Sequence, residues 1–342
     1  MFWRWAAIPM MIIINPCAKI LAQERDSIFL TTGQVLIGEV RDGQMGEITI
    51  DEIVFKMMDV KLYRIKKMKT YRRFKIEMLS KEIYYGVMKE SERDGWINIA
   101  LDDGDTIHTP VVDINLIISM EKKFFKQLHG NLSAGFSYTK SSDLGQINLS
   151  STVRYVTKLF DYQLAASAIE SIDSSKLSRD REDAGLFVAY TFKPAWFIAS
   201  SVSYQRNLEL SIASRIQEMI GGGNKVFLKK DWQLLAISGL VFNVEKSTSG
   251  TNSGLLLEIP LIVKFDFFKY RRPDIQINST QSLFFGLTQK GRVRYDSNTS
   301  FSWQLVRYFY FTFSPYANFD SQPPQGNSNF DFGVAVSLSY KF

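Results

Sequence analysis

Cysteine and histidine are almost absent from this chain. Its 342 residues include one cysteine, Cys17, and two histidines, His108 and His129. A single thiol cannot form an internal disulfide, and two isolated histidines do not give the ligand spacing of a transition-metal site. Nucleophilic catalysis needs a base within hydrogen-bond reach of the nucleophile, and no such motif surrounds either histidine. We therefore predict no catalytic residue, no metal site and no cofactor.

Long apolar runs are also absent after residue 22. The most apolar stretch, 254–268, is interrupted by Glu258, Lys264 and Asp266, which excludes a membrane-spanning helix. Disorder is excluded as well, because 45% of the residues are hydrophobic and 14% are aromatic. The formal net charge of +6 is compatible with nucleic acid as a partner, but the export signal described next argues against it.

Residues 1–22 have the features of a secretory signal peptide. Arg4 supplies the positive charge, 6–14 is a short apolar run, and cleavage is expected between Ala22 and Gln23. Cys17 lies inside this segment, where a lipoprotein signal would end in such a cysteine, but Pro16 before it fits that motif poorly. We predict an exported protein without a thiol and without a nucleic-acid partner.

The closing segment, 330–342, alternates strictly between two kinds of residue. Its even positions are apolar or aromatic and its odd positions are small or polar, so a strand here has one apolar and one polar face. Its length suits one crossing of a bilayer by a tilted strand, which takes about 9–11 residues. This ending resembles the last strand of a Gram-negative outer-membrane barrel, and the resemblance implies that Tyr340 and Phe342 are read by the barrel-assembly machinery.

Residues 128–342 contain about twelve such segments. The candidate strands are 130–140, 146–157, 161–171, 183–193, 196–206, 209–220, 232–246, 253–268, 273–288, 292–305, 308–319 and 330–342. Tight joins alternate with longer polar ones, as in outer-membrane barrels. Because unpaired sheet edges are not tolerated in lipid, 330–342 is expected to pair with 130–140. We predict an all-β protein with a transmembrane antiparallel barrel of about twelve strands, both of whose termini lie on the periplasmic side.

Residues 23–122 form a separate, charge-rich region with an internal repeat. Two similar segments, about 26–70 and 74–120, start at an offset of about 48 residues that grows through inserted loops. Each contains short strand patterns separated by turn signals such as Asp42-Gly43 and Asp103-Gly104. The pattern predicts a periplasmic domain of two small SH3-like or Sm-like β-barrels.

A basic stretch joins the two repeats. It contains Lys61, Arg64, Lys66, Lys67, Lys69, Arg72, Arg73 and Lys75. One interpretation is a contact face for anionic lipid headgroups or cell-wall polymer. The other is a solvated strand face with a linker, which is the commoner origin of such charge runs.

Seven charged residues are expected to face the barrel interior by strand parity. They are Arg154, Arg215, Glu258, Lys264, Asp266, Arg294 and Asp296. They could line a polar pathway, or they could pair across the interior and occlude it. The mixed signs favour pairing, because unpaired buried charge is costly.

Two other segments have simpler explanations. The acidic stretch 173–183 is predicted to be an outer loop whose charges neutralise one another rather than bind calcium. The triplet Gly221-Gly222-Gly223 lacks the lysine of a phosphate-binding loop, and we predict a strand bend there.

Three stretches of the chain together resemble a known family. They are the signal peptide, the segment 26–40 (DSIFLTTGQVLIGEV) and the barrel opening 130–139 (GNLSAGFSYT), and they resemble the uncharacterised "salt-induced outer membrane protein" family of Gram-negative bacteria. The resemblance implies an outer-membrane location and provides no catalytic residue or ligand. The expected role is structural, a narrow pore or an envelope-stress component. The alternative is a barrel-anchored module that contacts the cell wall or a partner protein through 26–120, and an outer-membrane hydrolase is a third hypothesis.

Overall fold

The computed structural model describes residues 25–120, 128–139, 144–157, 159–173, 176–208, 211–306, 309–323 and 329–340. Within them the regular structure is β-strand apart from two short 3₁₀ helices, η1 (Leu62–Arg64) and η2 (Val111–Asp113). None of the helices in these ranges is long and apolar enough to cross a membrane. The signal peptide and Cys17 lie outside the described residues.

Ten strands form the first sheet. They are β1 (Asp26–Leu30), β2 (Val35–Gln44), β3 (Glu47–Glu52), β4 (Lys56–Lys61), β5 (Ile65–Lys69), β6 (Phe74–Met78), β7 (Ile83–Glu90), β8 (Trp96–Leu101), β9 (Thr106–Pro110) and β10 (Ile114–Ser119). The sheet order is β4-β3-β2-β10-β6-β7-β8-β9, with β1 paired to both β2 and β5. Unit 1 (β1–β5 with η1) and unit 2 (β6–β10 with η2) therefore have the same succession of elements, and the β2–β10 pairing joins them.

Equivalent backbone hydrogen bonds recur in the two units. The N–H of Leu62 donates to Gly46 O (2.8 Å) as that of Val111 does to Gly95 O (2.9 Å). The 3₁₀ helix lies between the fourth and fifth strands in both units, so the offset stays close to its starting value. The expected growth of the offset through inserted loops is wrong, because η1, which begins at Leu62, corresponds to η2, which begins at Val111.

The turn between β2 and β3 also differs from expectation. Asp42 and Gly43 lie inside β2, and the turn is formed by Met45 and Gly46, whose φ angles are 52° and 79°.

A single apolar core runs through both units. Its fully buried side chains include Ile28, Ile50, Phe74, Ile76 and Ile99. Burial of each such side chain stabilises the fold by roughly 1.5–3 kcal/mol.

Twelve strands form the second sheet. They are β11 (Leu128–Thr139), β12 (Leu144–Val156), β13 (Phe160–Asp173), β14 (Lys176–Lys193), β15 (Trp196–Asn207), β16 (Ile212–Leu228), β17 (Trp232–Ser247), β18 (Asn252–Lys269), β19 (Ile275–Gly286), β20 (Val293–Val306), β21 (Phe309–Asp320) and β22 (Phe330–Tyr340). They follow one another in sheet order from β11 to β22, and each pairs antiparallel with the next. The all-β, antiparallel prediction is confirmed.

The two faces of this sheet differ. In β17, Ile237 and Val241 are buried while Leu240, Phe242 and Val244 are exposed. We call the face that carries Ile237 and Val241 the inner face. The end of the sheet at the joins 157–159, 194–195, 229–231, 270–274 and 307–308 is the turn end, and the opposite end is the loop end.

The edge strands β11 and β22 are not paired with each other in the part of the chain that the structure describes. The expected closure through 130–140 and 330–342 is therefore not observed there. Apolar side chains on these two strands are the most exposed of the sheet, with Leu132 81%, Phe136 69% and Phe332 68% exposed. Their exposure follows from the missing neighbour strand on one side.

The triplet 221–223 does not interrupt β16, which stays paired on both sides through the glycines. A Cβ on Gly223 would lie 2.2 Å from the Phe197 ring, so the glycine provides room for that ring. The loop expected at 173–183 is wrong for most of that stretch, because residues from Lys176 onward belong to β14 and pair with β13. Arg179 pairs there with Glu182, and Arg181 pairs with Asp183. The charges do neutralise one another, but within a strand.

Candidate functional site: the inner face and its covered end

Units 1 and 2 contact the turn end of the twelve-stranded sheet. Lys61 Nζ lies 3.1 Å from Asp274 Oδ2, and Lys81 Nζ donates to Val226 O at 3.1 Å. The Tyr63 hydroxyl donates to Tyr270 O at 3.4 Å. These contacts come from β4, η1 and the β6–β7 turn, so both units take part.

A buried ion pair lies at this junction. Glu77 of β6 accepts a hydrogen bond from Lys225 of β16 through Oε2, and its Oε1 accepts one from Asn115 at 3.2 Å. Glu77 is almost fully buried, and so is Lys75 on the same face of β6. Burial lowers the pKa of Lys75, and the neighbouring Lys225 lowers it further. The pair therefore joins the two sheets at a point from which water is largely excluded.

A cavity of about 200 Å³ lies beside this pair, lined by η1, η2 and the β18–β19 turn. Lys61 Nζ lies 3.7 Å from the centre of the Tyr270 ring, a cation–π contact. Burial and the nearby Glu47 carboxylate raise the pKa of the Tyr270 hydroxyl, which stays protonated. The cavity therefore lies at the joint between units 1 and 2 and the twelve-stranded sheet.

The inner face carries a second buried ion pair, between β20 and β18. Arg294 donates from Nε to Glu258 Oε1 at 2.9 Å and from Nη2 to Oε2 at 2.6 Å. Arg294 is 4% exposed and Glu258 is 1% exposed. Strand parity predicts both residues on this face, and the structure brings them together in a bidentate pair across β19, where Gly286 lies opposite Glu258.

Arg215 belongs to a larger network at the loop end. Its Nε lies 3.1 Å from Glu245 Oε1, and its Nη1 donates to Gln205 at 2.9 Å. Arg292 donates to both oxygens of Asp320 (3.0 and 2.6 Å), and its Nη2 lies 3.7 Å from Glu245. The network therefore links β16, β17, β21 and the loop before β20.

Sequence reasoning missed Glu245, Arg292 and Asp320. Glu245 follows the inner-face parity of β17, but that strand is apolar on both faces and gives no alternation signal. Arg292 precedes β20 and Asp320 ends β21, so both were outside or at the margin of the periodic segments. Parity applied to every charged residue near a strand end would have found them.

The other predicted inner-face charges are dispersed. Arg154 pairs with Asp161 at the turn end, with Nε donating to Oδ1 at 3.0 Å. Asp266 accepts from Gln233 at 2.8 Å, and Lys264 is exposed. Asp296 lies on the inner-face side of β20, two residues from Arg294. Arg154, Arg215 and the Arg294–Glu258 pair are therefore held in ion pairs at different heights, and the seven residues do not form one cluster.

An apolar cluster occupies the middle of the inner face. It contains Ala189, Phe197, Ala199, Met219, Ile237 and Val241, with Phe187, Leu235, Ile262 and Phe284 packed against it. It covers β14–β19, whereas the inner positions of β12 and β13 are small or polar, such as Ser150 and Ser167. The inner face thus has an apolar side and a polar side.

The eight basic residues of 61–75 do not share one surface. Lys61 and Lys75 face the turn end, and Arg72 pairs with Asp26 at 2.8 Å. Arg73 pairs with Asp102, and Lys66 lies 3.2 Å from Asp94. Arg64 and Lys69 lie near the rings of Tyr63 and Tyr71, and Lys67 is partly exposed on β5. Internal pairing therefore accounts for several of them.

The remaining predicted positions carry no site geometry. His108 Nδ1 lies 2.7 Å from Asn98 Oδ1, at the surface of unit 2. The side chains of His129 and Tyr340, and the whole of Phe342, lie outside the described residues. In the described ranges no group of three or more histidine, cysteine or acidic residues could hold a metal ion.

Comparison with known proteins gives a family and distant structural likenesses. No curated protein matches the sequence. Among solved structures, a bacterial polysaccharide outer membrane secretin has 10% identity and a TM-score of 0.36, over 79% of this chain and 97% of the other. OccK11 (OpdR) of Pseudomonas aeruginosa has 9% identity and a TM-score of 0.28, over 79% and 83%. A porin has 13% identity and a TM-score of 0.30, over 79% and 97%.

The family model that matches spans residues 132–342, which includes almost all of the twelve-stranded sheet and more than half of the chain. The chain therefore belongs to the family described as protein of unknown function, DUF481.

Proposed function

We propose that this protein is an integral β-barrel of the outer membrane with a non-catalytic role, and that units 1 and 2 lie in the periplasm. The observation that carries the proposal is the outward face of β16–β18. Ile216, Ile220, Leu240, Phe242, Leu255 and Leu261 are all exposed on adjacent strands. Water-soluble proteins rarely expose a continuous apolar surface of this kind, whereas a bilayer would cover it.

In this proposal β11 and β22 pair to close the barrel. Unpaired backbone groups cost several kcal/mol each in hydrocarbon, so lipid favours closure strongly. Closure would also cover the exposed apolar side chains of both edge strands. Tyr340 and Phe342 would be the signal for the barrel-assembly machinery.

The succession of four strands, a 3₁₀ helix and a fifth strand in units 1 and 2 supports small SH3-like barrels.

Membrane fractionation with a heat-shift gel tests the architecture. The protein should sediment with the outer membrane and migrate faster unheated than boiled, because a closed barrel resists detergent. Recovery in the soluble periplasmic fraction would contradict the proposal.

We propose further that the barrel is structural, or at most a narrow path, rather than a general diffusion pore. The ion pairs and the apolar cluster of its inner face and the covered turn end support this. An envelope-stress role rests on the family resemblance alone. Full-length protein in planar bilayers should give no large conductance steps at any voltage, and porin-sized steps would contradict this part of the proposal.

A second candidate function is a barrel-anchored module that binds anionic cell-wall polymer. Arg64, Lys66 and Lys67 remain at the surface of unit 1, which favours this alternative. Full-length protein with Lys66→Gln and Lys67→Gln should lose retention on peptidoglycan. A matched variant with Lys56→Gln and Lys89→Gln should keep it. Equal retention of both variants would remove this candidate.

A further inference from the structure

A second cavity, of about 370 Å³, lies at the loop end of the twelve-stranded sheet. It lies between the joins β17–β18 and β19–β20 and the residues Gln322 and Pro323, which follow β21. Its volume lies in the range of roughly 300–1,000 Å³ that is typical of small-molecule sites. The ion-pair network of Arg215, Glu245, Arg292 and Asp320 borders it, so we call it the loop-end cup.

The floor of the cup has a carboxylate oxygen available for a ligand. Glu245 is 7% exposed. Asn243 Nδ2 donates to its Oε1 at 2.6 Å, and both Arg215 and Arg292 approach that same oxygen. In the described structure no hydrogen bond ends on Oε2. A carboxylate oxygen accepts two hydrogen bonds, so a ligand with hydroxyl donors fits it.

The wall of the cup is rich in hydroxyl groups. Ser247 Oγ lies 3.0 Å from Ser249 Oγ, which lies 3.3 Å from Thr251 Oγ1. Each hydroxyl can donate one hydrogen bond and accept others, and its proton rotates to suit the partner. This row of hydroxyl groups therefore matches a ligand whose own groups both donate and accept hydrogen bonds, as hydroxyl groups do.

The charges of the cup offset one another. The Arg292 guanidinium is engaged by Asp320 and by Gln289, whose Oε1 accepts from Nη1 at 2.9 Å. Arg215 is engaged by Glu245 and Gln205. The Lys246 ammonium also lines the cup and balances the Glu245 carboxylate, so the lining gives a neutral ligand no electrostatic penalty. Ile212 and Pro323 add apolar lining, which suits the C–H face of a sugar ring.

We propose that the loop-end cup binds a neutral saccharide. Binding itself depends only on the folded cup. Access from the cell exterior rests on the proposed membrane orientation, in which the loop end faces outward. Because the ion-pair network lies beneath the cup, a saccharide would bind in the cup rather than pass through it into a channel.

Calorimetric titration with maltohexaose tests the proposal. Full-length protein is refolded in lauryldimethylamine oxide, because a maltoside detergent would compete for the site. Inorganic phosphate and hexagalacturonate are titrated as anionic probes. Maltohexaose should bind, and both anions should bind at least tenfold more weakly or not at all.

Variants then locate the binding. Ser249→Trp, at an exposed loop position, should weaken maltohexaose binding at least tenfold by filling the cup, and Thr251→Val should weaken it severalfold. Ser91→Trp, in the β7–β8 loop of unit 2, should bind like the unaltered protein. A heat-shift gel establishes that each variant is folded. No binding by the folded, unaltered protein, preference for the anions, or equal binding by Ser249→Trp would overturn the proposal, and none of these results would bear on membrane location.

Discussion

Replacing Lys225 by methionine should uncouple units 1 and 2 from the twelve-stranded sheet. Lys225 donates to the Glu77 carboxylate, which is almost completely buried at the junction. Methionine keeps most of the volume of the side chain and removes the charge, so a buried carboxylate remains with only the amide of Asn115. Breaking a buried pair in this way costs about 3–5 kcal/mol.

We expect a loss at the lower end of this range, because Lys75 can partly replace the charge of Lys225. Lys75 is buried on the same face of β6, and the positive charge of Lys225 lowers its pKa. When that charge is removed, protonation of Lys75 becomes easier, and it can partly neutralise Glu77. A loss of about 3 kcal/mol shifts the docking equilibrium by about 10²-fold, since each 1.4 kcal/mol is tenfold.

Hydrogen exchange of the β6 peptide 74–78, followed by mass spectrometry at increasing urea, measures the effect. Lys225 lies in the twelve-stranded sheet, so any loss of protection in β6 reports coupling across the junction. Lys264→Met is the matched control, because Lys264 is an exposed lysine on the same sheet. Unchanged exchange in the Lys225→Met protein, or an equal loss in the control, would refute the reasoning. The double variant with Glu77→Gln should recover part of the lost protection.

Three further predictions concern single sites. Glu258→Gln leaves its arginine partner with an uncompensated buried charge, which should cost about 3–5 kcal/mol in urea unfolding of the refolded barrel. Gly223→Ala should cost about 1–3 kcal/mol in the same assay, because its Cβ would overlap the Phe197 ring, whereas Gly222→Ala has its nearest neighbour at 3.9 Å and should be near neutral. The N–H groups of Phe55 and Val54 hold the pKa of Glu52 below its ordinary value of 4.5. The Glu52 carboxylate should therefore stabilise the β3–β4 turn fully above pH 4.5, and this stabilisation should be lost as the pH falls through the lowered pKa. Amide exchange at residues 54 and 55 measures this last effect, and Glu52→Gln should remove the pH dependence.

Alternation with period two was enough to locate most strands of the twelve-stranded sheet. The predicted strand 232–246 agrees with β17 to one residue, and 196–206 agrees with β15 to one residue. Both are bounded by residues that break a strand or favour a turn. The extension of β14 back to Lys176 was not predictable in this way. Its charges are paired within the strand by Arg179 and Arg181, and a count of charged residues cannot distinguish paired from solvated charge.

Parity predicted which charged residues share a strand face, but it could not predict how they pair. Arg294 meets Glu258 across an intervening strand, which depends on the register of β18, β19 and β20 together. Glu77 and Lys225 belong to different sheets and are 148 positions apart in the chain. No local pattern encodes such a contact, because it depends on how the two sheets meet.

The shared arrangement of units 1 and 2 carries two different surfaces. Lys75 and Glu77 of β6 correspond by strand position to Ser27 and Phe29 of β1, so the two units carry different chemistry on the same backbone. Conversely, Gly46 of unit 1 packs against Phe268 of the twelve-stranded sheet, whereas its counterpart Gly95 has open space around it. Each unit thus contacts the twelve-stranded sheet through a different element, although their backbone hydrogen bonds are equivalent. The two units are therefore not interchangeable, and exchanging them would remove the residues that form the joint.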